Sequence, residues 1–143
     1  MDLLIPDSDK ERIETAIAQA ELKTSGEIRV HIDEECNEDV LDHAAYVFQE
    51  LEMHKTAQRN GVLFYVSLDH KFAILGDAGI NAKVPEHFWE EARDVVLTNF
   101  KAGKFAEGLE KGIALAGEKL AAHFPYQTND VNELSNEVTF GKK

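Results

Sequence analysis

The sequence predicts an α/β domain: a three-layer α/β/α sandwich with a small mixed sheet of about four strands, flanked by helices on both faces. Three features carry this. First, residues 61–75 read as two successive strands, each apolar on both sides. Val62, Phe64, Val66 and Leu68 line one side of the first strand, and Leu63 and Tyr65 the other. Strands of that kind lie inside a sheet covered above and below. Second, amphipathic helical periodicity recurs before and after this hairpin. Third, a strand, a helix and a strand follow one another before the hairpin, a βαβ order that makes the two strands parallel.

The elements follow in order. A short apolar arm, Leu3-Leu4-Ile5-Pro6, precedes Ser8 and Glu11, whose spacing is that of a capping box. A helix is predicted from there to about Leu22, with Ile13, Ala16, Ile17 and Ala20 on one face, stopped by Thr24-Ser25-Gly26. Residues 27–33 alternate: Ile28, Val30 and Ile32 point one way, Glu27, Arg29, His31 and Asp33 the other, the pattern of a half-buried strand. An acidic loop, residues 34–39, leads to a helix reaching about Gln58 with Val40, Ala44, Val47, Phe48 and Leu51 inward. The hairpin comes next. Its turn is the pair Asp69-His70, two residues that tolerate positive φ, and its return strand is 71–75.

Beyond a short connection, Pro85 opens a helix to about Lys101 that buries Phe88, Trp89, Ala92, Val96 and Phe100. Ala102-Gly103 separates it from a last helix, Lys104 to about His123, with Phe105, Leu109, Ile113, Ala116 and Leu120 inward. Gly108, Gly112 and Gly117 inside that helix each cost about 1 kcal/mol against alanine, so their expected use is close approach of another backbone. Residues 1–125 form the domain. The tail, 126–143, is polar except for Val138-Thr139-Phe140, a short run suited to an edge strand.

Composition narrows the function. The 143 residues carry a formal net charge of −12, which disfavours phosphate backbones and anionic lipid and favours cations. Nucleic acid and membrane are therefore not expected as partners. Cys36 is the single cysteine, so no internal disulfide and no cysteine-based zinc site is expected. With no basic leader and no run of about 20 apolar residues, a cytoplasmic location is expected. Asp33, Glu35 and Asn37 have the early spacing of an EF-hand, but Glu38 and Ala44 stand where glycine and a carboxylate are required. Phosphate-binding, zinc-protease and serine-hydrolase motifs are absent. The six histidines are scattered and read as surface or helix-end residues.

Strand direction supplies the candidate site. Parallel first and second strands start at the same end, and the third, running back, finishes there. Ser25-Gly26-Glu27, Arg59-Asn60-Gly61 and Gly76-Asp77-Ala78-Gly79 are therefore expected to converge. Carboxylate, amide and backbone oxygens suit hard cations, and glycines let a backbone approach a ligand. A purely structural use is equally open: Asn60-Gly61 as a helix cap, Asp77 as a turn acceptor, Arg59 as its ion-pair partner. Asp33 and Glu34, at the opposite end near Asp69, make a second, weaker cation candidate.

The chain resembles the TPM domain family. The resemblance is carried by residues 17–21 leading into Thr24-Ser25-Gly26-Glu27-Ile28, by Thr56 with Arg59-Asn60-Gly61-Val62-Leu63, by Ile74-Leu75-Gly76-Asp77-Ala78-Gly79-Ile80, and by Phe100, Gly103, Phe105 and Gly108-Leu109. It implies an α/β/α sandwich, divalent-cation binding with calcium foremost and magnesium as the other candidate, and, for a plant member, acid phosphatase activity. Two functions follow from it. In the first, a metal-binding interaction module, Asp77 is the core ligand, completed by Glu27 or Asn60 and backbone carbonyls. Ser25, Gly26, Arg59, Gly76 and Gly79 then shape the site for a protein or a small phosphorylated ligand. In the second, a metal-dependent acid phosphatase, the cation activates water, Arg59 holds the phosphate by its planar fork and Asp77 positions metal or nucleophile.

Overall fold

The computed structural model describes residues 4–127 and 133–141; Leu3 of the N-terminal arm and residues 128–132 and 142–143 of the tail lie outside the described residues. The elements are α1 (Asp7–Ala20), β1 (Glu27–Asp33), α2 (Val40–Glu50), β2 (Gly61–Ser67), β3 (Lys71–Gly76), α3 (Ala78–Lys83), α4 (Glu90–Lys101), α5 (Phe105–Ala121) and β4 (Thr139–Phe140). The sheet order is β3-β2-β1-β4. β1 and β2 are parallel, with Glu27 opposite Gly61 and Asp33 opposite Ser67. β3 is antiparallel to β2, and the two-residue β4 from the tail is parallel to β1.

Two apolar layers form the core. Ile28, Val30, Ile32, Val62, Phe64 and Val66 are fully buried on one face, against α1, α3, α4 and α5. Each such side chain contributes about 1.5–3 kcal/mol of burial. Leu63, Tyr65 and Ala73 on the other face meet Ala44, Val47 and Phe48 of α2, with Met53 and Leu134. The helix glycines serve close approach, as expected. A Cβ on Gly112 would stand 2.4 Å from Val96 Cγ2, and one on Gly117 2.9 Å from the Cβ of Ala20. α5 therefore seats against α4 and α1 at nearly backbone distance.

Several boundaries differ from the sequence reading. α1 starts at Asp7 with Pro6 at its cap position and no side-chain cap, so the Ser8–Glu11 capping box does not form. α2 ends at Glu50, eight residues early: Glu52 takes φ 57° and Met53 N–H bonds back to Phe48 O at 3.1 Å. That is a helix-stopping motif normally signalled by glycine, made here so that Met53 can bury. The hairpin turn has three residues, 68–70, with His70 N–H on Ser67 O and His70 at φ 74°. This is the three-residue hairpin with a left-handed third position, and it leaves Leu68 at the surface. α4 begins at Glu90 because His87, at φ 65°, interrupts the helix after Pro85. α3, capped by Asp77, stands where a loop was expected.

Candidate functional site

The three turns meet at the start of β1 and β2. Asn60 links two of them: its carbonyl accepts Glu27 N–H at 3.0 Å, and its Nδ2 donates to Ser25 O at 2.7 Å. Ser25 and Gly26 are pinned from behind, Ser25 N–H on Phe124 O and Gly26 N–H on the Thr24 hydroxyl. The third turn joins through Asp77 N–H on Gly61 O and Gly79 N–H on Arg59 O, both 2.9 Å. Gly79 is needed there, since a Cβ would fall 2.1 Å from Gln58 O. Gly76 offers its carbonyl to Asn81 Nδ2 at 3.1 Å.

The polar side chains at this rim divide. Asp77 is buried, and the guanidinium of Arg59 grips it with two hydrogen bonds, Nε to Oδ2 and Nη2 to Oδ1, both 2.8 Å. Oδ1 also accepts Ala78 N–H. Asp77's side chain is 5% exposed, whereas that of Arg59 is 50% exposed. Asn60 is 3% exposed and its Oδ1 has no hydrogen-bond donor. Glu27 Oε1 accepts Leu134 N–H at 2.7 Å, and Leu134 packs in the layer of α2. The structure thus brings Ser25, Gly26, Glu27, Arg59, Asn60, Gly76, Asp77 and Gly79 to one rim, with one oxygen of the Glu27 carboxylate engaged by Leu134 N–H. For a hard cation, Asp77 and the donor-less amide oxygen of Asn60 fit in kind. The cationic partner now on Asp77 is the Arg59 guanidinium, which a metal ion must displace. Among the described residues, no three His, Cys, Asp or Glu side chains are gathered to hold a metal.

The opposite end of β1 holds a network that the sequence reading missed. Asp33 is buried and accepts Tyr65 OH on Oδ2 at 2.5 Å; His43 Nε2 lies 3.1 Å from the same oxygen and His31 Nε2 lies 2.9 Å from Oδ1. His43 Nδ1 continues to Glu38 at 2.6 Å, and His31 Nδ1 to the Thr139 hydroxyl at 2.7 Å. Burial opposes ionisation of Asp33, but hydrogen bonds from His31 and Tyr65, the charge of His31 and the hydrogen bond from His43 outweigh it and hold the carboxyl below its usual range. Burial, then the bond to Asp33, pushes the Tyr65 phenol well above its ordinary value. His43 faces a carboxylate from each ring nitrogen.

His31 is therefore not the surface or helix-end histidine expected, whereas His43 sits part-exposed in the first turn of α2. His31 is 8% exposed, and β1 is buried at every position but Arg29. The usable signal was register, since parallel β1 and β2 set His31 opposite Tyr65, where the two rings stack. A cavity of about 810 Å³ opens beside the network, lined by Asp33, Glu34, Glu35, His43, Tyr46 and Glu50 among others.

A two-layered helix cover over a mixed four-strand sheet, with a rim built from three short turns, defines an α/β/α domain of the TPM type. The TPM domain model matches residues 2–119, and the chain belongs to that family. It is similar along nearly its whole length to the BA42 protein of the psychrophilic bacterium Bizionia argentinensis, with 42% identity, a TM-score of 0.92, and coverage of 99% of this chain and 98% of that one. The N-terminal domain of a P. gingivalis protein shares the fold at 16% identity and TM-score 0.68, covering 88% of this chain and 83% of that domain's chain. The N-terminal domain of the cg2496 protein of Corynebacterium glutamicum does so at 14% and 0.56, covering 94% and 80%. A search of curated proteins returns no match. No helix among the described residues is long and apolar enough to cross a membrane.

Proposed function

We propose that this TPM domain is a divalent-cation-binding interaction module, with calcium or magnesium held at the rim of Ser25, Asn60 and Asp77. One observation carries the reading. Asp77 is a buried carboxylate whose counter-charge is a half-exposed guanidinium, on a residue of positive φ. Arg59 acts as a stand-in cation that swings into solvent when the metal takes its place. Asp77 supplies the anionic oxygen, Asn60 its amide oxygen, and backbone carbonyls the rest. Glu27 holds Leu134 N–H through one carboxylate oxygen. The ion orders the three turns as one surface for a protein or a small phosphorylated ligand.

The test is calcium and magnesium titration by calorimetry, with amide spectra. Asp77→Ala is expected to abolish the response at residues 76–79, and Arg59→Ala to tighten binding by removing the competitor. Unchanged spectra in wild type at millimolar calcium, or an Arg59→Ala variant that binds less tightly than wild type, refutes the exchange. The alternative, a metal-dependent acid phosphatase, starts from the same displacement, with the freed Arg59 clamping phosphate while the cation activates water. Hydrolysis of a chromogenic phosphate ester that requires metal and disappears in Asp77→Asn would favour it instead.

A further inference from the structure

We infer that the open edge of β3 is a β-augmentation site for an extended acidic peptide. β3 ends the sheet order, with β2 on one side and, among the described residues, no strand on the other. Asp77 N–H bonds Gly61 O, and Val62 stands opposite Gly76. In antiparallel alternation this makes Leu63–Leu75 and Tyr65–Ala73 the bonded pairs. Phe72, Ile74 and Gly76 therefore turn their N–H and C=O groups away from β2. Asn81 caps the outward carbonyl of Gly76. Nothing among the described residues takes up those of Phe72 and Ile74.

Phe72, Ala73 and Ile74, each less than a tenth exposed, line a groove of about 320 Å³ along this edge. One wall is the first turn of α2, Val40 and Leu41, with Leu41 more than half exposed. The other is Trp89, Glu90 and Arg93 at the start of α4. Helices on both sides overhang the strand, so the edge accepts a lone strand and not the edge of a second copy, which brings its own overhanging helices. Charge then chooses the peptide. In a chain of net charge −12, Arg93 lines this groove with no ion-pair partner among the described residues. His87, also in the lining, is paired with Glu86 and Glu90. An extended segment thus zips onto Phe72 and Ile74 by main-chain hydrogen bonds, drops an apolar side chain between Leu41 and Trp89, and places an aspartate or glutamate on Arg93.

The experiment uses the full chain and N-acetylated, C-amidated seven-residue peptides of alternating valine and threonine carrying one glutamate at each position in turn. Expected are peptide-dependent shifts and slowed exchange of the Phe72 and Ile74 amides. Binding is expected to weaken at least tenfold in Arg93→Glu and to recover when the peptide's glutamate is replaced by lysine. Arg93 is exposed, so that variant keeps the fold. No shift at Phe72 and Ile74 with millimolar peptide overturns the inference. So does binding indifferent to the Arg93 reversal, or protection of the β3 amides that rises with protein concentration without peptide, which would mark a contact between copies.

Discussion

Replacing Glu21 by glutamine is expected to stabilise the protein in neutral and alkaline solution and to leave it unchanged in acid. Glu21 follows α1, and its Oε2 accepts Ile28 N–H at 2.9 Å on the side of β1 away from β2. Burial pushes the carboxyl up from 4.5 to about 7; the Ile28 hydrogen bond lowers it somewhat and the neighbouring Glu27 charge raises it. Below about pH 4.5 the group is protonated in both the folded and unfolded chain and contributes nothing to the pH dependence. Between 4.5 and 7 only the folded chain keeps the proton, so stability is lost as pH rises through this window, and above it the full penalty applies. At about 1.4 kcal/mol per pH unit the interval gives roughly 3 kcal/mol, and residual exposure to water reduces this to about 2–3 kcal/mol.

Glutamine keeps an acceptor oxygen for Ile28 N–H and never ionises. The assay is urea unfolding of wild type and Glu21→Gln at half-unit steps from pH 4.5 to 8. The curves should coincide at the acid end and separate by about 2–3 kcal/mol at pH 8, which corresponds to about 6–12 °C in Tm. Titrating groups not coupled to Glu21 cancel in the difference; Glu27, its charged neighbour, does not. Parallel curves across the whole range would show that Glu21 ionises normally in the folded chain and would refute the reasoning.

At the other end of β1 the sign reverses. Asp33 is held below its usual range, so its contribution is present above about pH 4 and lost as pH falls through the folded value; Asp33→Asn is expected to lose about 3–5 kcal/mol at pH 7, with the gap narrowing as pH falls below the usual carboxylate range in the same unfolding assay. Gly112→Ala puts a Cβ against Val96 and is expected to cost about 1–3 kcal/mol in thermal unfolding without altering metal titrations. Gly79→Ala collides with the backbone at Gln58 and Arg59, so it should also disturb the amide signals of Arg59 and Asp77, which Gly112→Ala leaves alone. Cys36 is 2% exposed with its thiol on Glu38 O; a thiol reagent should modify it only as fast as the chain opens, which denaturant dependence of the labelling rate will show.

The layers and strand order were legible because they rest on periodicity over many residues. The two-sided apolar run of β2 demands cover above and below, and the βαβ order fixes β1 parallel to it. What escaped was stopped or started by a single backbone angle. Glu52, His70 and His87 all take positive φ without being glycine, so the end of α2, the length of the hairpin turn and the start of α4 carried no local composition signal. α3 was hidden for a related reason: a six-residue helix opening on Ala78-Gly79 has too few turns for an apolar stripe to stand out from a glycine turn.

The two rims differ in the same way. The rim at Asp77 could be read because its parts are turns, and turn chemistry is local once strand directions are known. The network at Asp33 could not, because alternation along β1 marks Glu27, Arg29, His31 and Asp33 as solvent-facing, and the partners that allow the burial of His31 and Asp33 come from elsewhere: Tyr65 from β2, His43 from α2, Thr139 from the tail. Buried charge survives only with such partners, so a polar stripe on a strand means water or a satisfied layer depending on residues distant in sequence. The consequence for cation binding is spatial. Glu27 and Asp33 are the two ends of one seven-residue strand, about 20 Å apart at strand rise, so no single ion bridges the rims. A titration that counts two ions must therefore lose one in Asp77→Ala and the other in Asp33→Asn; loss of both from either variant would mean the ions report the fold's stability and not a site.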